Sequence, residues 1–203
     1  MPDFNIPEGI MTRIALVAAF ALIVAVPVRA EDKVGESVYY PLKIGSTWNY
    51  KIGDQKLTAK VTKHEMNGGL MCALVETSVN GQPQATEHIA VTKDGLVRTS
   101  FAGQTPEKPL MFLKFAAKAG ESWDIDTKVM GMDIKGKFTR GEEDVDVPGY
   151  KGKAVSSKGE FTIMGQTVAF GYWFAEKKGI VKSSVTAGGQ SFTMELESFE
   201  EGK

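Results

Sequence analysis

A two-residue hydrophobic period, broken by glycine turns, restricts the fold of this chain more than any other feature. Leu57, Ala59 and Val61 alternate with Lys56, Thr58, Lys60 and Thr62. Met132, Ile134 and Phe138 alternate with Asp133, Lys135, Lys137 and Thr139, and Phe192, Met194 and Leu196 with Ser191, Thr193, Glu195 and Glu197. That period gives a strand one dry and one wet face, the pattern of an antiparallel sheet. Between the runs stand Gly53-Asp54, Asn67-Gly68-Gly69, Asn80-Gly81, Asp94-Gly95, Met164-Gly165 and Gly188-Gly189, pairs that supply the positive φ of tight hairpins. The runs count to about eleven strands, a width at which sheets curl or close. The expected fold is therefore all-β, a curled antiparallel sheet forming a half-barrel or open barrel around its apolar face. The segment from Pro109 to Ala117 is apolar on nearly every side, and it is expected to be a short helix or a lid.

The start of the chain reads as an address. Arg13 precedes the apolar run from Ile14 to Val26, and Val28 and Ala30 are small. These are the parts of a secretory signal, and the run is shorter than the roughly 20 residues of a spanning helix. Residues 1–30 are expected to be the signal, with cleavage after Ala30 and translation starting at Met11. The first mature position is not Cys, so the expected product is a soluble periplasmic or extracellular protein, not a lipoprotein, with no transmembrane span.

Residues 31–203 are expected to form a single β domain that repeats itself. Lys43-Ile44-Gly45-Ser46-Thr47-Trp48-Asn49-Tyr50 matches Lys118-Ala119-Gly120-Glu121-Ser122-Trp123-Asp124-Ile125. Leu57 to Lys63 matches Ile134 to Arg140, and Gly81 to Ser100 matches Gly165 to Ser184. Matches in one order and at similar offsets indicate duplication. The expected plan is two five-strand repeats, about 38–101 and about 109–187, and a last strand at about 190–199.

The chemistry of the chain is sparse. With 24 Lys plus Arg against 25 Asp plus Glu, no basic surface for nucleic acid is expected. Cys72 is the one cysteine and lies in an apolar run, so it is expected to be buried and inert. His64 and His88, the two histidines, fall on polar strand faces and are expected to be solvated. Gly68 stands where the second histidine of H-E-x-x-H would be, so that zinc motif fails. Glu142, Glu143, Asp144 and Asp146 are expected to be a solvated acidic turn. No catalytic set, metal site or cofactor motif is present, and the chain is expected not to be an enzyme.

One strand departs from the one-sided pattern. In Phe170-Gly171-Tyr172-Trp173-Phe174 both faces are apolar, which suits a covered strand or the wall of a pocket. The candidate apolar lining is Trp48, Trp123, Phe170, Tyr172, Phe174, Met111 and Phe112.

Tyr40-Pro41-Leu42-x-x-Gly45-x-Thr47-Trp48-x-Tyr50, Val147-Pro148-Gly149, and Tyr172-Trp173-Phe174 followed by Gly179-x-Val181-Lys182 resemble the TapB-like secreted or periplasmic bacterial proteins. These are related in fold to the lipoprotein carriers LolA and LolB and to LppX. The resemblance implies a half-open sheet around an apolar cavity, which in the carriers holds acyl chains. The expected function is an exported, non-enzymatic binding protein holding a lipid or another apolar small molecule. The alternative is an envelope structural or protein-interaction module with a packed core and no small ligand.

Overall fold

The computed structural model describes residues 34–203; the expected signal segment and the expected start at Met11 lie outside the described residues. Twelve strands follow one another: β1 (Thr47–Ile52), β2 (Gln55–Asn67), β3 (Leu70–Val79), β4 (Gln82–Val91), β5 (Gly95–Phe101), β6 (Leu110–Lys114), β7 (Ser122–Val129), β8 (Met132–Val147), β9 (Tyr150–Ile163), β10 (Gln166–Ala175), β11 (Gly179–Ala187) and β12 (Gln190–Glu200). They form one antiparallel sheet in the order β6-β5-β4-β3-β2-β1-β12-β11-β10-β9-β8-β7. Strand β1 pairs with β12, so the sheet curls into a nearly closed barrel with one seam, between β6 and β7. The curled all-β sheet is as expected.

The segment expected to be a helix or lid is strand β6, paired with β5. Its apolar residues serve two faces of a sheet. Met111 stands opposite Val97 and packs on the small outer cluster of Cys72, Ala90 and Val97 as well as on the main core. Phe112 and Leu113 both enter the core at a register shift in which Phe112 is the extra residue of β6, between Leu113 opposite Leu96 and Met111 opposite Val97. A strand covered on both sides loses its alternation and reads like a buried helix.

The matched sequence segments fall on β1 and β7, β2 and β8, β4 and β10, and β5 and β11, an offset of six strands. The approaches to β1 and β7 share one hydrogen-bonded turn. Gly45 N–H donates to Val61 O (2.8 Å) and Ser46 N–H to Lys43 O (3.0 Å), as Gly120 N–H does to Arg140 O (2.8 Å) and Glu121 N–H to Lys118 O (3.0 Å).

The two ends of the barrel differ. At the capped end the chain before β1 and after β6 buries Val34, Tyr40, Leu42 and Ala117. Lys177 N–H donates to Val38 O (2.6 Å), and the β8–β9 tip tucks in through Gly149 N–H to Leu196 O (2.7 Å). At the hairpin end lie the largely exposed β1–β2, β3–β4, β7–β8, β9–β10 and β11–β12 turns and the β5–β6 connection, which is held to β7 by Glu107 N–H donating to Lys128 O (2.9 Å). The seam is pinned along its length. Trp123 Nε1–H donates to Met111 O (2.8 Å), Arg140 Nη1 to Lys114 O (3.2 Å), and Lys108 N–H to Thr127 Oγ1 (2.9 Å).

Candidate functional site

Directly paired residues of adjacent strands share a face, so the inner wall can be read from the register. Tyr50 pairs with Leu57 and Leu57 with Val79. Phe138 pairs with Gly159 and Gly159 with Phe170. Phe170 pairs with Val185 and Val185 with Phe192. Toward the capped end the wall is sealed: Trp48, Val61, Val75, Ile89, Leu96, Phe112, Phe174 and Leu196 are all buried. Toward the hairpin end the same wall opens. Leu57, Val79, Ile134, Ile163, Val168, Phe170, Val185 and Met194 are half-buried, and Phe192 is 60% exposed.

Two inward glycines allow the wall to curve at β8 and β9. A Cβ on Gly136 would overlap the Glu160 carbonyl oxygen, and one on Gly159 the Lys137 carbonyl oxygen. Aromatic rings lie over the gaps. Phe138 and Phe161 meet at 4.8 Å between ring centres, and Phe161 and Phe170 at 5.6 Å. Glycine bends covered by cross-strand aromatics are a recurrent way to curve a sheet.

The structure brings most of the expected lining residues together. Phe112, Tyr172 and Phe174 form one cluster, with ring centres 5.8 to 6.3 Å apart. Phe138 links Tyr172 (6.0 Å) and Trp123 (5.8 Å), and Phe161 joins Phe138 to Phe170. Trp48 stands apart at the capped end, against Tyr40 and Phe199, with Nε1–H donating to Lys178 O at 2.6 Å. Met111 shares the outward face of Val97. Of the seven, Phe170 and Tyr172 are on the inner wall and half-buried.

Sequence reasoning missed the ionic centre of the barrel. Arg98 Nε–H donates to Glu87 Oε2 at 2.6 Å, with both side chains about one-sixth exposed. The guanidinium lies 5.1 Å from the Phe112 ring centre and reaches Tyr172 Oη at 3.4 Å. Burial works against its charge, but the Glu87 carboxylate and Tyr172 outweigh that and hold the Arg98 pKa above its ordinary value. Nearby, burial pushes the Tyr40 and Tyr50 phenols well up. The alternation Leu96-x-Arg98 is the signal that places Arg98 on the inner face.

The histidines are not the solvated groups expected. His88 Nε2–H donates to Glu65 Oε1 (2.8 Å), which leaves Nδ1 to accept from Ser100 Oγ (2.6 Å). This has the connectivity of a Ser-His-Glu relay, but Ser100 is buried and presents no open nucleophile. Its role on the outer face is to tie β2, β4 and β5. Lys63 and then His88 hold the Glu65 carboxyl below its ordinary range. His64 Nε2–H donates to Leu42 O at 2.7 Å, fastening the capped end. Cys72 is buried, as expected, and its thiol pKa is raised by that burial.

The outer face carries a charged groove of about 930 Å³ across β8 to β10, lined by Lys137, Lys158, Glu160, Thr167, Gly171 and Trp173 among others. The Trp173 ring is flanked by Lys158 Nζ (4.9 Å) and Lys182 Nζ (5.4 Å), and its Nε1–H donates to Glu143 Oε2 (3.0 Å). The acidic residues expected in a turn lie within β8. Among the described residues no group of three or more His, Cys, Asp or Glu is placed to hold a metal ion, and no helix is long and apolar enough to cross a membrane.

Neither a protein-family model nor a curated protein sequence matches the chain. Two solved structures resemble it. One, from Bacteroides fragilis, is described as an exported protein with a YmcC-like fold; it is 14% identical, with a TM-score of 0.48, covering 81% of this chain and 100% of its own. The other, from Parabacteroides distasonis and described as a lipoprotein, is 10% identical, with a TM-score of 0.44, covering 84% of this chain and 100% of its own.

Proposed function

We propose that the chain is an exported, non-enzymatic binding protein that takes up an apolar ligand, such as an acyl chain, at the hairpin end of the barrel. One observation carries this reading: a single apolar wall that is sealed at the capped end and half-exposed at the other. A wall built only to fill a core gains about 25 cal/mol for each Å² it removes from water. Here that burial is left incomplete over eight neighbouring aliphatic and aromatic positions, and pockets for apolar ligands are made of such side chains. Export rests on the signal-like segment before residue 31.

A packed interaction module is the second reading, favoured by the aromatic cluster and the Arg98–Glu87 pair that fill the centre. Titration with a fluorescent fatty acid separates the two. Val185 faces the wall, whereas its neighbour Thr186 faces outward. The whole chain and Thr186→Lys are expected to bind the probe saturably. Val185→Lys should bind it about tenfold more weakly or worse, because an ammonium group stands in the apolar path. Absence of saturable binding to the folded protein overturns the proposal in favour of the packed module.

A further inference from the structure

The hairpin end carries a second signal, in its turns. Met130 is 70% and Met164 75% exposed, each at the tip of a tight turn. Both hold positive φ, 52° in each case, a region where Asn, Asp and Gly are favoured over an unbranched apolar side chain. The β3–β4 tip fills the same kind of position with Asn80, at φ 49°. Methionine in these turns is thus both strained and exposed, and strain retained at an exposed site points to function.

The surroundings agree. The β7–β8, β9–β10 and β11–β12 hairpins are consecutive in the sheet, so Met130, Met164 and the exposed Phe192 follow one arc of the rim. Although 24% of the chain is charged, no charged residue occurs from Phe161 to Ala175 or from Ser183 to Met194. These stretches cover the tip of the β9–β10 hairpin with all of β10, and the tip of β11–β12. On β7–β8 the nearest charges pair with each other, Lys128 with Asp133 at 3.6 Å.

We propose that this arc docks the barrel on the surface of a lipid bilayer with neutral, zwitterionic headgroups. Separate apolar tips on polar, uncharged turns fit a fluid, deformable layer, where insertion of a charge would be resisted and a thioether is not. The absence of a lysine cluster on the arc points to neutral rather than anionic lipid. The arc is continuous with the binding wall, since Phe192 pairs with Val185 and Val185 with Phe170. A ligand could then pass from bilayer to barrel without crossing water. The docking site rests on the reading of the hairpin end as the entrance.

The test is sedimentation of the whole chain with phosphatidylcholine vesicles. The unmodified protein is expected to sediment with them. Met130→Glu/Met164→Glu should partition on the order of tenfold less. Gln84→Glu, which adds one negative charge on the other half, should partition like the unmodified chain. Met130→Asn/Met164→Asn, which restores the residue these turns prefer, keeps the fold secure and should also partition less. Equal partitioning of the unmodified chain and all three variants overturns the proposal, and so does no vesicle binding by the unmodified chain, including the case in which it binds a protein instead. Fatty-acid binding measured without vesicles keeps the two ideas apart. It should survive both methionine double variants, and its absence would overturn the binding function without explaining a loss of sedimentation.

Discussion

Arg98 shows how one residue can decide the behaviour of a barrel interior. Its partner Glu87 lies on the inner wall opposite Val75, and the pair is mostly removed from water. Breaking such a pair leaves one buried charge uncompensated, at about 3–5 kcal/mol, whereas replacing both charges by apolar groups of similar volume is often close to neutral. Arg98→Met should therefore lower the free energy of unfolding by about 3 kcal/mol in urea melts. Glu87→Leu/Arg98→Met should recover most of it. A double variant as unstable as the single would show that the guanidinium acts through its packing on Phe112 and Tyr172, not through the ion pair. Arg98 was legible in principle, because it alternates with Leu96. Glu87 was harder to place. The register shift between Thr77 and Ser78 places an extra residue, Gln84, in β4, which breaks the two-residue count from the hairpin tip, and the flanking residues of that strand are polar. The histidines were misread for a related reason. Their strand faces are polar, but Leu42 in one case and Glu65 with Ser100 in the other come from chain segments whose proximity no local pattern encodes.

At the scale of elements, local alternation and turn chemistry located the strands well, because each hairpin states its own register through its turn. They failed where an element is covered on both faces. Strand β6 lost its period to the outer cluster of Cys72, Ala90 and Val97. The glycines divide in the same way. Those at hairpin tips were readable as turns, whereas Gly136 and Gly159 lie inside strands and mark the bends of β8 and β9. There a methyl group would strike the carbonyl of the neighbouring strand, and that backbone cannot rotate away as a side chain could. Gly136→Ala is expected to lower stability by about 2 kcal/mol or more, the range of overpacking in a closed core. Gly131→Ala at the β7–β8 tip meets nothing within 4 Å, so any cost there comes from its φ of +76° alone. Thermal unfolding of the two variants measures the contrast. A Gly136 variant as stable as the parent would mean that β8 can flatten, and that the curvature of the wall comes from elsewhere.

Over the whole molecule, the curled sheet followed from strand number and one apolar face, but the difference between its ends did not. Which hairpins are capped depends on segments that are not strands, the chain before β1 and the stretch after β6, and their contacts join residues far apart in sequence. The same difference makes a prediction about motion. Protection of an amide from exchange follows the free energy of the smallest opening that frees it, and that energy rises with buried apolar contact. Strand β10 runs from one end to the other, so it carries the comparison within itself. Its amides at Trp173, Phe174 and Ala175 lie beside buried rings and the capped end, and they should exchange only with global unfolding. Those at Thr167, Val168 and Ala169, on the uncovered hairpin, should exchange at least about tenfold faster. Strand β11 should repeat the gradient in the opposite chain direction, with Ile180 and Val181 slow and Thr186 and Ala187 fast. Hydrogen exchange followed residue by residue tests this directly. Uniform protection along both strands would show a barrel stiff at each end, in which a half-exposed wall could not part to admit a chain. A gradient that vanishes when a fatty acid is added would locate the bound ligand between the same hairpins, because only contact there can raise the local opening energy to the global one.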